Sequence, residues 1–414
     1  MGRRAQTLLA GTIAATLTFA AAATEANAQE TVVINDQLQL GDVFASQTLN
    51  VVDVDDQTTA VTTATGNALS GAVETGSLSL TSTQSMQGDA TAETTLNGAG
   101  TIGSPVTLLS EAVGNTGDAG AYGADMEATV TQTVGANEIT ARTDVAAPTG
   151  QMPEGGSVSA TAIANSQAFG VSDEGTASMT VTQSSDALTQ ADVEAQVQYV
   201  PGPAVFSTAA TSNNVSSSGT SGTTQTVVAS QTMTGERTQA ATFVGAANAW
   251  EMQGSAAAVA NNVAVTNEDG ALEVTTDQTN LGYVRGEAVV DTFDFGLGSA
   301  QAMGVGNSVL AGNAGQYVNI DNSQFNSGGV EVISSFNGDT GYDAYSSATA
   351  VGNAITGYAC SECQGTLVAN SFQTNNSAVS ATSTMSITGS GRSVIGTATA
   401  VGNTASFWVT SPGG

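Results

Sequence analysis

Around Gln132 the chain alternates strictly. Met126, Ala128, Val130, Gln132 and Val134 share one parity, and Glu127, Thr129, Thr131 and Thr133 share the other. Period two of this kind marks a β-strand with one buried face. The same pattern holds Leu78 and Leu80 with Gln84, Met179 and Val181 with Gln183, and Val227 and Ala229 with Gln231. It returns with Val274 and Gln278, with Val318, Ile320 and Gln324, and with Leu367, Ala369 and Gln373. Each time the glutamine falls on the apolar parity. A lone buried carboxamide is costly, because two donors and an acceptor must be satisfied. Stacked at the strand spacing of about 4.8 Å, identical amides bond to one another. The pattern predicts an amide ladder inside a stack of strands; half-exposed glutamines marking strand ends are the alternative.

A second marker keeps the same beat. A short Ala/Val-Gly-Asn element ends at Asn67, Asn115, Asn165, Asn214, Asn261, Asn307, Asn353 and Asn403, at intervals of 46 to 50 residues. The glutamine element starts at Gln47 and, from Gln84 onward, recurs every 46 to 51 residues. Asparagine precedes glutamine by 17 to 20 residues throughout. Two markers in fixed phase define a repeat protein of about eight units.

The fold class is therefore all-β, a β-solenoid with both the asparagines and the glutamines as interior rungs. About 48 residues at roughly 3.3 Å each make a very large coil, so two coils of about 24 residues per repeat are expected. A β-propeller, whose blades run to about 40 to 50 residues, is the rival architecture. The solenoid is preferred because inward amides need axial neighbours one strand away. Stacked repeats leave sheet edges at both ends, and the last strand, with Phe407 and Trp408, is a candidate docking edge.

Charge narrows the function. Thirty-six acidic residues face six basic ones, with no histidine, and the net charge is −30. Nucleic acid is excluded as a partner, since binding it takes clustered cations. The absence of His and Lys removes the commonest general base and the usual amine nucleophile. At the N-terminus, Arg3 and Arg4 precede an apolar run, Leu8 to Ala23, and the small residues Ala26 and Ala28. This reads as a signal peptide, residues 1–28, cleaved between Ala28 and Gln29. Residues 29–414 then form a single elongated β-repeat domain, exported to the cell surface.

Candidate chemistry is sparse. Cys360 and Cys363 are the only cysteines, too few for a zinc site without histidine, and are expected to form a local disulfide. Asp53, Asp55 and Asp56 are weighed as calcium ligands and read as a solvated acidic strand. Asp291 and Asp294 are weighed as a glycosidase pair and read as an acidic surface loop. Aromatic residues lean towards the C-terminal half and offer either stacking platforms for sugar rings or packing between coils. No cofactor and no catalytic residue is predicted.

Residues 35–73, NDQLQLGDVFASQTLNVVDVDDQTTAVTTATGNALSGAV, resemble the start of holdfast anchor protein D of stalked alphaproteobacteria. The leader, the Thr/Ala/Gly-Asn repeats, the lysine poverty and the length are also similar. The resemblance implies a non-enzymatic, outer-membrane-associated surface protein that holds an adhesive polysaccharide, the holdfast, to the cell pole. It further implies holdfast anchor proteins of the A and B types as partners. Self-association into an oligomer is an added expectation. A secreted adhesin or self-assembling fibre subunit is the alternative function, and a β-helical polysaccharide lyase or hydrolase a more distant one.

Overall fold

A computed structural model describes residues 30–315, 317–360 and 365–410. Among these residues there are only strands and their connections: no helix is present, so none is long and apolar enough to cross a membrane. In chain order the strands of the first three repeats are β1 (Glu30–Gln39), β2 (Val43–Val51), β3 (Thr58–Val73), β4 (Gly76–Met86), β5 (Ala90–Thr101), β6 (Val106–Tyr122), β7 (Ala124–Val134), β8 (Glu138–Gln151) and β9 (Gly156–Ser172). The next repeats are β10 (Thr176–Ser185), β11 (Leu188–Gly219), β12 (Thr224–Met233), β13 (Arg237–Asn267), β14 (Ala271–Asn280) and β15 (Tyr283–Asn313). The last are β16 (Tyr317–Asn326), β17 (Val330–Cys360), β18 (Thr366–Asn375), β19 (Val379–Ile387) and β20 (Ser393–Thr410).

Every pairing is parallel and joins one repeat to the next. Gln183, for instance, sits between Gln132 and Gln231 in register. Strands of one repeat do not pair with each other, which excludes the antiparallel blades of a propeller. The chain is an open β-solenoid, and each repeat closes one coil. The expected pair of 24-residue coils is thereby corrected. Strands of 31 or 32 residues in β11, β13, β15 and β17 run round a corner without a break, so a full repeat is used in one circuit.

A coil is two layers thick. Its first, short strand carries the glutamine, its second follows end to end, and its third returns across both. Two cores result. One lies between the second strand and the first half of the third, and includes Leu96, Ile139, Val193, Phe206 and Phe336. The other lies between the glutamine strand and the second half of the third, and includes Met126, Val181, Val227, Val274 and Ile320. Both are built largely of Ala and Val, whose small volumes suit thin layers stacked at strand spacing.

The Gly-Asn element is where the third strand passes from one core to the other. In β17, Ala348 and Ala350 face inward, then Gly352 and Asn353 are both buried, and the inward parity resumes with Ile355. Two successive inward residues shift the phase of the strand. The first must be small, because a Cβ on Gly352 would lie 2.5 Å from the carbonyl oxygen of Gly402 in the next coil. Ala164, Ser212 and Ala260 occupy the equivalent place elsewhere.

Eight coils at about 4.8 Å give an axis of about 38 Å, while a glutamine strand of 10 residues already spans roughly 33 Å. The stack of coils within one chain is thus about as long as one glutamine strand. Replacing Gly352 by Val is expected to lower unfolding stability by about 1–3 kcal/mol through overpacking. A denaturant midpoint equal to that of the parent protein would show that the bend tolerates bulk.

Candidate functional site

The interior is dominated by two rows of amides that separate the cores. Gln84, Gln132, Gln183, Gln231, Gln278, Gln324 and Gln373 each donate from Nε2 to Oε1 of the glutamine one coil before, at 2.7 to 2.8 Å. The row begins at Gln37, which receives the bond from Gln84. The asparagine row runs the other way. Asn67, Asn115, Asn165, Asn213, Asn261, Asn307 and Asn353 each donate from Nδ2 to Oδ1 of the asparagine one coil later, at 2.7 to 2.9 Å, ending at Asn403.

Each amide has a second proton, and its destination ties the layers together. Every glutamine from Gln37 to Gln373 gives it to the backbone carbonyl of the residue after a rung asparagine, from Ala68 to Thr404. Asparagines Asn67 through Asn353 return the bond to the carbonyl after a rung glutamine, from Ser85 to Thr374. In the interior coils the carboxamides are fully satisfied, so their burial carries no desolvation debt.

Two positions differ from the sequence expectation. Asn214 is not a rung: it points outward, donating to Ser166 and accepting from Asn262, while its neighbour Asn213 is fully buried in the row. The parity shift at the bend places the first asparagine of the pair inward. Gln47 belongs to β2, opposite Thr94, and Gln37 takes the place expected for it. The interval from Gln37 to Gln84, 47 residues, fits the repeat and is the signal that identifies it. A further short row, Asn280 to Asn326 to Asn375 at 2.7 Å per bond, lies two residues beyond the glutamines in the late coils.

The outside is acidic. Among the described residues each arginine is engaged by carboxylates: Arg142 by Asp144 and Glu194, Arg237 by Glu236, Arg285 by Glu287 and Glu331, and Arg392 by Asp343. The bond from Arg392 holds the Asp343 carboxyl below the usual range, and one from Thr176 does the same for Asp125. Burial pushes Asp192 upward, against the bond it accepts from Gln190. Burial, with a bond to Glu331, pushes the Tyr283 phenol up to about 12.

Asp291 accepts from Asn337 at 2.6 Å, and with Phe293 and Asp339 it lines an open groove of about 570 Å³. Asp53 accepts from the Thr101 amide and Asp56 from the Gln57 amide. No group of three or more acidic, Cys or His side chains converges to hold a metal among the described residues. Cys360 is buried and disulfide-bonded; Cys363, Ala28 and Gln29 lie outside the described residues.

Where the second strand turns into the third, four successive coils each present one exposed aromatic: Tyr199, Trp250, Phe293 and Tyr342. Trp250 meets the Tyr342 ring edge-on at 6.1 Å, and Arg392 lies 5.4 Å above Tyr342. Glu251, Asp291, Asp294 and Asp343 flank them within a few residues. The result is a discontinuous aromatic ridge with an acidic border: Trp250 and Tyr342 pair, whereas Tyr199 stands in register with Asn248, and Phe293 lies between Thr292 and Asp294, which pair with Ala246 and Asn248.

Replacing Gln231 by Leu leaves Gln183 Oε1, one Gln278 N–H and the Asn262 carbonyl unpaired, at roughly 1–3 kcal/mol for each buried group. The same change at half-buried Gln37 is expected to cost far less, because water reaches the end of the row. Equal losses in chemical denaturation of the two variants would mean that the ladder does not carry interior stability.

No curated protein and no solved structure matches this chain. The family model described as Holdfast attachment protein D matches residues 52–329, from the end of β2 through β16. With two thirds of its length matched, all of it in repeating coils, the chain belongs to the Holdfast attachment protein D family.

Proposed function

We propose that this protein anchors an adhesive polysaccharide to the outer membrane at the cell pole, as a structural and non-catalytic component. The observation that carries the reading is the outer surface of a holdfast attachment protein: carboxylates far outnumber the arginines, and those arginines are already engaged. Such a surface suits a cationic glycan, such as a partly deacetylated amino-sugar polymer. The ridge of Tyr199, Trp250, Phe293 and Tyr342 supplies apolar platforms for sugar rings beside acids that receive ammonium groups. Each exposed contact is weak and screened by salt, so holding power comes from their number along a chain with regularly spaced sites. Holdfast anchor proteins of the A and B types are the proposed neighbours at the membrane, and the chain reaches them after removal of residues 1–28.

A secreted adhesin is the second reading, favoured by the same exposed aromatics. The two separate in cells that lack the gene. Anchoring predicts normal polysaccharide synthesis with the polymer shed into the medium; polymer retained on cells that no longer stick points to the adhesin. Altered chain length would revive a lyase or hydrolase. In purified form, retention of an amino-sugar polymer is expected to fall as sodium chloride rises from 0.05 to 0.5 M, by about tenfold or more. Retention that ignores salt but fails in a Trp250→Ala, Tyr342→Ala double variant would move the load from the acids to the ridge.

A further inference from the structure

Among the described residues, the first and last coils are open in complementary ways, and we infer that copies of this chain stack head to tail, the last coil of one on the first coil of the next. The amide rows state the polarity. At the first coil, among the described residues, Gln37 Nε2 has one proton on Ala68 and none on another partner, and Asn67 Oδ1 accepts no bond. At the last coil, among the described residues, Gln373 Oε1 receives no bond, and Asn403 Nδ2 makes a single long contact, 3.5 Å, with Gln373 O. A following copy would therefore donate from its Gln37 to Gln373 and accept at its Asn67 from Asn403, each in the direction the row already runs.

Register agrees. Gln37 and Gln373 are 336 residues apart, and so are Asn67 and Asn403. The described strands thus hold a whole number of coils, and one placement satisfies both rows. It also aligns the two core rows that end half-exposed: Val43, Ala45, Leu49 and Val51 of the first coil meet Val379, Ala381, Met385 and Ile387 of the last. These are the same inward column, cut at its two ends. Unpaired parallel strand edges on both sides complete the match.

Charge selects the same partner. Residues 30–75 carry seven carboxylates and no arginine, whereas residues 365–410 carry one arginine and no carboxylate. In a chain of net charge −30 this end, with no carboxylate of its own among residues 365–410, is a surface on which an acidic coil sits with little repulsion. Two first coils brought together would set carboxylates against carboxylates.

The register places exposed Phe372 of one copy opposite exposed Asp36 of the next. The test is analytical ultracentrifugation of the full mature chain, with electron microscopy of the assemblies. Wild type is expected to form unbranched stacks whose length grows in steps of about 38 Å, eight strand spacings. Phe372→Glu puts like charges directly opposite and removes an apolar contact, weakening association about tenfold. Adding Asp36→Lys to that variant restores it. Both side chains point outward, so denaturation midpoints should match wild type and exclude misfolding. A wild type that stays monomeric, a closed dimer that does not extend, or association unaffected by Phe372→Glu would each overturn the proposal.

Discussion

The structure depends on a reciprocal bond between its layers. A glutamine near the end of one strand reaches the carbonyl beside an asparagine, and that asparagine reaches the carbonyl beside the glutamine of the next coil. The same amides use their remaining groups along the axis. One side chain type therefore fixes the thickness of the coil and another fixes the point where the returning strand changes core. Leu or Val at these places would supply burial but neither the cross-layer bond nor a unique axial register, because apolar contacts are non-directional. The cores flanking the rows are poor in large side chains, and specificity has passed from shape to hydrogen bonds.

The opposed directions of the two rows follow from this geometry. Bonds along a row polarise each other, so each row carries a dipole along the axis. With glutamines donating towards the first coil and asparagines towards the last, the two dipoles run against each other. Every interior coil offers the same pattern of partners to the coil on either side. Coil number is consequently not fixed by the rows themselves, and a repeat can be added or lost without disturbing the bonds of the others.

How much was legible in the chain follows from the same physics. Gln132 among Met126, Ala128 and Val130 declares a buried amide, and only stacked amides solve that problem cheaply. The β class, the repeat and most rungs come from that inference. Asn213 and Asn214 are adjacent, and parity counted along a straight strand cannot tell which faces inward, because the phase shift lies at that very bend. Gln47 misleads since it too lies on an apolar parity, in a different strand. Coil size was hidden because a 48-residue beat is the same for one coil or two; what decides it is the closure of β11 around a corner, a contact between residues far apart. The contact of Trp250 with Tyr342 was hidden for a related reason: the two are 92 residues apart and meet only where the corner stacks their coils.

The exterior is released from these demands. Outward positions touch neither core nor rung, so their content is free to follow the task outside. Charge alone does not make such a surface hold a polymer, because each exposed ion pair is weak in salt. Among the described residues, four exposed aromatics lie at this corner, Tyr199 to Tyr342. Avidity grows with the number of contacts that engage one polymer together, and those contacts must sit at separations the polymer can span. A solenoid supplies such spacing within a chain at one strand per coil, and the proposed stacking of copies would extend it without a linker. Under that proposal, the rule that lets each coil accept the next would also turn a weak local surface into a strong extended one.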